Sequence, residues 1–184
     1  MAKIIKTFLL VFAGYLLQVC VMPYLPLGSV TANLLIACMA VITVAYGRFF
    51  AFGAGAVLGI LMEIMVAPIN YFYLLIYPVM GFLGGLLFSD KTERRLEQER
   101  SMGKRAKDLP PLLRTLLCAG MNISVFQAVN LIYTYLTGVD LTPAHIGRAL
   151  VGILYTFSVT GIIMLPLRRF LGVGRRQLQT GRKT

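Results

Sequence analysis

The sequence predicts an all-α fold: a polytopic membrane bundle of six transmembrane helices, N-in/C-in, forming one transmembrane domain over residues 1–184. Three observations carry that prediction. Hydrophobic residues make up 58% of the 184 residues and charged residues 14%, with a mean hydropathy of +0.77. Soluble domains run near about 45–50% and about 25%. The apolar residues fall into six runs separated by charged or Pro/Gly-containing breaks. The basic residues, 18 against 7 acidic for a net charge of +11, gather between alternate runs. Composition excludes an ordinary soluble domain, and high hydrophobicity excludes a disordered chain.

A helix crossing about 30 Å of hydrocarbon needs roughly 20 apolar residues. Span one covers about 4–22 and closes at Pro23, Pro26 and Gly28. Its start, with Lys3 and Lys6, resembles a signal peptide. The apolar run of 19 residues is longer than a signal core, and no small-x-small cleavage pattern follows, so it reads as a retained helix. Span two covers about 32–46 and is short unless Val30 and Thr31 join it. Gly47-Arg48 turns it into span three, about 49–66, and Ala67-Pro68-Ile69-Asn70 leads to span four, about 71–88. Pro78 lies inside span four and can kink it. The charged loop 89–111 holds five acidic and seven basic residues. Pairs such as Arg95/Glu99 and Arg94/Glu97 suit a short surface helix, either a solvated connector or a docking site for a cytoplasmic partner. Span five covers about 112–136 and span six about 146–167. The tail 168–184 carries six basic residues and no acid.

Charge placement fixes the expected orientation. With the N-terminus inside, 17 of the 18 basic residues lie on the cytoplasmic side and only Arg148 lies outside. Arg168, Arg169, Arg175 and Arg176 are candidate contacts to anionic lipid, at about 1 kcal/mol each near the surface. No aromatic interleaving accompanies the tail charges, so nucleic acid is not an expected partner.

Glu63 is the only acid well inside a span. It stands 14 residues beyond Phe49, about 21 Å along the helix. An intramembrane acid is a functional-site hypothesis by default, and Arg148, at the same outer depth, is its natural counter-ion. Glu63 and Arg148 are therefore expected to approach each other or share an outer cavity, with Asn70 completing the polar site. Ala51, Gly55, Gly59 and Glu63 recur every four residues on span three, and Gly81 and Gly85, with Gly84 beside them, mark span four. Such rows let helix backbones approach closely, inside the hairpin of spans three and four or against a partner helix. Gln127, Asn130 and Thr134 share one face of span five, with Asn122 and Ser124 pointing elsewhere. Thr156, Ser158 and Thr160 on span six suit interhelical hydrogen bonds.

Catalysis is not expected. There is no phosphate loop, no paired carboxylates and no Ser/His/Asp set. His145 lacks a second ligand, and Cys20, Cys38 and Cys118 form no metal-ligand spacing. No cofactor and no metal are expected.

Two stretches resemble a known family. Gly55-Ala-Val-Leu-Gly59-Ile-Leu-Met-Glu63-Ile-Met-Val-Ala-Pro68-Ile-Asn70 is similar to the MreD pattern of a glycine-rich helix, an acid near its end and a tight turn. Tyr77-Pro-Val-Met-Gly81-Phe-Leu-Gly84-Gly85 resembles the glycine-rich helix that follows. Gln18 with Pro23, and Pro166-Leu167-Arg168-Arg169-Phe170, also fit. Glu63 stands where that family usually has Asp, Asn70 where it has Gly, and Ala32-Asn33 where it often has Pro-Asp. The resemblance implies a non-enzymatic scaffold of the bacterial rod-shape machinery in the cytoplasmic membrane. It implies binding to MreC, and through it to MreB, RodA and a class B penicillin-binding protein. A six-helix bundle with an outward cavity is also similar to the substrate-binding S components of energy-coupling-factor vitamin transporters. In that alternative Glu63, Asn70, Arg148 and Gln127 would hold a small solute.

Overall fold

The computed structural model describes residues 2–66, 71–88 and 110–171. Among them are six α-helices: α1 (Ala2–Cys20), α2 (Leu34–Tyr46), α3 (Arg48–Val66), α4 (Phe72–Phe88), α5 (Pro111–Leu136) and α6 (Pro143–Leu171). A 3-10 turn, Met22–Tyr24, follows α1. The described residues hold no strand, only an isolated bridge between Leu27 and Val30. Asn70, the charged loop from 89 to 109, and Arg175 and Arg176 of the tail lie outside the described residues.

Four helices, α1, α3, α5 and α6, are long and apolar enough to cross a membrane. The other two are apolar but shorter, 13 residues in α2 and 17 in α4. Six crossings are thus not reached on helix length alone. The shortfall in α2 has a local cause. Asn33 is its N-cap and its side-chain oxygen accepts from Ile36 N, so the helix cannot begin at Val30 or Ala32. At the other end Gly47, with φ 85°, takes a conformation open to glycine and stops the helix. About 20 Å of helix remains.

Sequence pattern explains where α2 sits. Leu34–Tyr46 is apolar on every side, and such a helix has no face to offer water. All residues from 34 to 44 are buried, and α2 packs against each of the other five helices. Around it the core takes Leu10 and Tyr15 from α1, Leu58 from α3, Tyr77 from α4, Ile123 from α5 and Met164 from α6. The outward faces are equally apolar. Phe8, Ile64, Leu75, Ile132, Leu154 and Ile162 are all exposed, the last by 74%. Apolar surface on every flank is far beyond what a soluble monomer shows and matches a bundle solvated by lipid.

Candidate functional site

The sequence-predicted small residues meet inside the α3–α4 hairpin. The antiparallel register runs Arg48/Gly85, Ala51/Gly81, Gly55/Tyr77 and Gly59/Tyr73. A Cβ at position 55 would stand 2.7 Å from Tyr77 O, and one at 85 would stand 2.4 Å from Arg48 Cα. Those are backbone atoms, so the approach exists only because both positions are glycine. Gly84 turns the other way, toward Cys118 and Asn122 of α5. The row Ala51, Gly55, Gly59, Gly81 and Gly85 is consumed by packing within the chain, whereas Gly53 of α3 stands in open space.

Glu63 closes this hairpin at its turn end. Its Oε1 accepts from Tyr71 N and its Oε2 accepts from Tyr73 N at 3.0 Å. Tyr71 is the residue just before α4 and Tyr73 its second, so the carboxylate of α3 caps α4 across the turn. Four N–H groups at a helix start lack partners within the helix, and the helix dipole places partial positive charge there. A carboxylate is well matched to that end. Tyr71 holds a φ of 69°, unusual for a residue with a side chain, and Glu63 grips it there. Arg148 takes no part. It is exposed on α6, and no ion pair or hydrogen bond joins it to Glu63. The expected pair is replaced by a cap because the N-terminus of α4 is nearer and already positive.

A second polar cluster forms where α2 begins. Thr156 lies 13 residues into α6, about 20 Å from its start, and Asn33 N donates to its Oγ1 at 3.1 Å. The N-terminus of α2 is therefore set against the middle of α6, with Asn33 and Gln18 partly buried there. Its orphan N–H groups are met by side chains: Leu34 N donates to Gln18 Oε1 at 2.7 Å and Ile36 N to Asn33 Oδ1 at 3.4 Å. Gln18 Nε2 donates to Ala32 O at 3.2 Å, and Asn33 Nδ2 donates to Tyr77 Oη at 3.0 Å. Backbone ends inside a membrane bundle are satisfied by protein: Gln18, Asn33 and Thr156 do so here, and Tyr77 of α4 holds the Asn33 side chain. Individually these residues are unremarkable in sequence. The readable signal was Asn33 directly before an apolar run, an N-cap pattern, which places the helix start and calls for acceptors nearby.

Other expected polar contacts fall differently. Ser124, Thr134, Ser158 and Thr160 each bond back to a carbonyl one turn earlier in their own helix, a common use of hydroxyls in apolar helices. Of the three expected hydroxyls on span six, Thr156 is the one that bridges elements. Asn122 is fully buried on α5, together with Thr115, Cys118 and Ala119, whereas Asn130 is exposed, so the inward face of α5 is not the Gln127/Asn130/Thr134 face. Gln127 lies beside Gly152 of α6. His145 accepts from Thr142 N at 3.2 Å, a local cap at the start of α6. Arg168, expected against lipid, is buried, and its Nη1 donates to Thr115 Oγ1 of α5 at 2.7 Å. Arg169 is exposed. The long Arg168 side chain reaches back along the bundle because Thr115 offers a fixed acceptor that lipid does not.

No family model, no curated protein and no solved structure matches this chain. Among the described residues no group of three His, Cys, Asp or Glu side chains converges as a metal site would need. The arrangement can brace helices: a carboxylate ties α3 to α4, and a polar cluster ties α1, α2, α4 and α6 together.

Proposed function

We propose that the chain is a non-enzymatic integral membrane scaffold of the bacterial cell-elongation machinery. In this reading it crosses the cytoplasmic membrane six times with both termini inside and holds an MreC-like single-pass partner. Through that partner it reaches MreB, RodA and a class B penicillin-binding protein, and so helps to position peptidoglycan synthesis. The supporting observation is the α3–α4 hairpin. The stretch that resembles MreD folds into a glycine-tight pair locked by its acid, and a subunit that positions others needs rigid elements of this kind.

In this reading the two shorter helices, α2 and α4, also cross, although neither reaches spanning length. A helix enclosed by five others need not match the lipid thickness, because protein rather than hydrocarbon surrounds its ends. The connection 21–33 fills the depth above α2, with Leu25 O accepting from Tyr155 Oη at 2.7 Å. At about 26 Å, α4 lies within the range that a small local adjustment of the bilayer accommodates. Basic residues outside one short segment then lie on a single side.

Affinity capture of the tagged chain from membranes of its native host, in mild detergent, is expected to recover a single-pass MreC-like protein. Failure to recover one overturns the scaffold reading. A thermal shift of several degrees with a vitamin ligand would instead favour the transporter component. A cysteine at Gly138 is expected to react with an impermeant thiol reagent in intact cells, and one at Thr184 is not; the reverse pattern overturns the topology.

A further inference from the structure

Between α1 and α3 lies a groove of about 330 Å³, with Ile4, Thr7 and Phe8 on one wall and Phe49, Gly53 and Val57 on the other. Thr7 is the one lining residue with a polar side chain. Gly53 keeps the groove open: nothing stands within 4 Å of where its Cβ would be, in contrast to Gly55 and Gly59 on the packed side of the same helix.

Charge marks one end. The Arg48 guanidinium sits 4.9 Å from the centroid of the Phe49 ring, itself a wall of the groove. Lys6, next to Thr7, is exposed, and neither α1 nor α3 carries an acid in its first turn. Length decides what fits. From Arg48 to Val57 is nine residues, about 14 Å along α3, close to half of the roughly 30 Å hydrocarbon layer. A partner's transmembrane helix would need a groove through both leaflets. An acyl chain needs one.

We propose that this groove seats an acyl chain of an anionic phospholipid, with the lipid phosphate held by Arg48 and Lys6. The inference rests on the membrane reading above but not on the scaffold assignment. Guanidinium groups match phosphate oxygens with two parallel hydrogen bonds, and long basic side chains place their charge at the headgroup level while their stems cover apolar surface. The chain would slide past Gly53, where the floor lacks a side chain, and end near Val57 at the middle of the membrane.

Spin-labelled phosphatidylglycerol and phosphatidylcholine, compared in proteoliposomes by electron paramagnetic resonance, test this. Wild type is expected to immobilise phosphatidylglycerol with an association constant roughly fivefold above that of phosphatidylcholine, the effect of about one basic residue at an anionic surface. Gly53→Leu places its Cβ in open space and its branched end in the groove, and is expected to lower the immobilised fraction and the preference for phosphatidylglycerol. Val57→Phe does the same from the deep end. Arg48→Gln combined with Lys6→Gln brings the two lipids to near equality while leaving chain immobilisation in place. Equal binding of both lipids by wild type overturns the proposal, as does an unchanged signal in both groove-filling variants. Both leaflets carry both lipids in this assay, so its failure is independent of the topology and of partner capture.

Discussion

Removing the Glu63 carboxylate tests the cap directly. Glu63→Ala deletes both bonds to the start of α4. Tyr71 is 70% exposed, so its N–H finds water or headgroup oxygen and its loss counts for little. Tyr73 N is partly buried, and a hydrogen bond to a charged acceptor there is worth about 1.5–3 kcal/mol. The helix-dipole contribution adds about 0.3–1 kcal/mol, for an expected cost near 2–4 kcal/mol. Glu63→Gln keeps an acceptor oxygen and gives up the charge, so it is expected to cost about 1 kcal/mol. Arg148→Gln, an exposed change far from the cap, is expected within about 0.5 kcal/mol of wild type. Reversible unfolding in mixed micelles, titrated with dodecyl sulfate and followed by far-ultraviolet circular dichroism, measures all three. If Arg148→Gln costs as much as Glu63→Ala, and the double variant no more than either, the two charges act as a pair and the cap assignment fails.

Two further outcomes follow from the packing. Gly85→Ala drives a Cβ into the Arg48 backbone and is expected to destabilise by about 1–3 kcal/mol, while Gly53→Ala, in open space, is neutral or stabilises by up to about 1 kcal/mol; equal effects in the same unfolding titration would refute the hairpin geometry. Arg168→Ala breaks a buried bond to Thr115 and is expected to cost about 1.5–3 kcal/mol, whereas Arg169→Ala leaves stability within about 0.5 kcal/mol, a contrast read by the same titration.

Much of the helical layout was legible because apolar runs and Pro/Gly breaks are strong local signals. The helix ends lie within about one turn of the ends of the apolar runs. The glycine spacing announced close packing, but spacing does not say which helix is the neighbour; only the register 55/77 and 85/48 does. The fate of Glu63 was less visible. Sequence offers one acid and one stray Arg, and charge counting pairs them, yet backbone N–H groups at a helix start carry no letter in the sequence and compete as partners. Arg168 was misplaced for a related reason: a terminal arginine reads as a lipid flank until a buried hydroxyl one helix away is known. Central burial of α2 was written in its uniform apolarity, while the acceptors of its first amides, Thr156 and Gln18, emerged only from the packing.

The same bonds bear on the choice between brace and carrier. A solute site needs polar groups that are free before the ligand arrives, directed into a space it can enter. Gln18 commits both its amide oxygen and its amide nitrogen to the start of α2, and Asn33 commits both of its own. Among the described residues the buried side-chain atoms without a partner are Thr43 Oγ1 and Asn122 Oδ1. Each residue is fully enclosed, Asn122 against Gly84 and beside Cys118. A solute reaching the polar cluster would have to unseat the N-terminus of α2 and leave several backbone amides bare in hydrocarbon, each at a cost of several kcal/mol. Energetics of that order make the polar cluster at the start of α2 a brace between helices rather than a waiting ligand site.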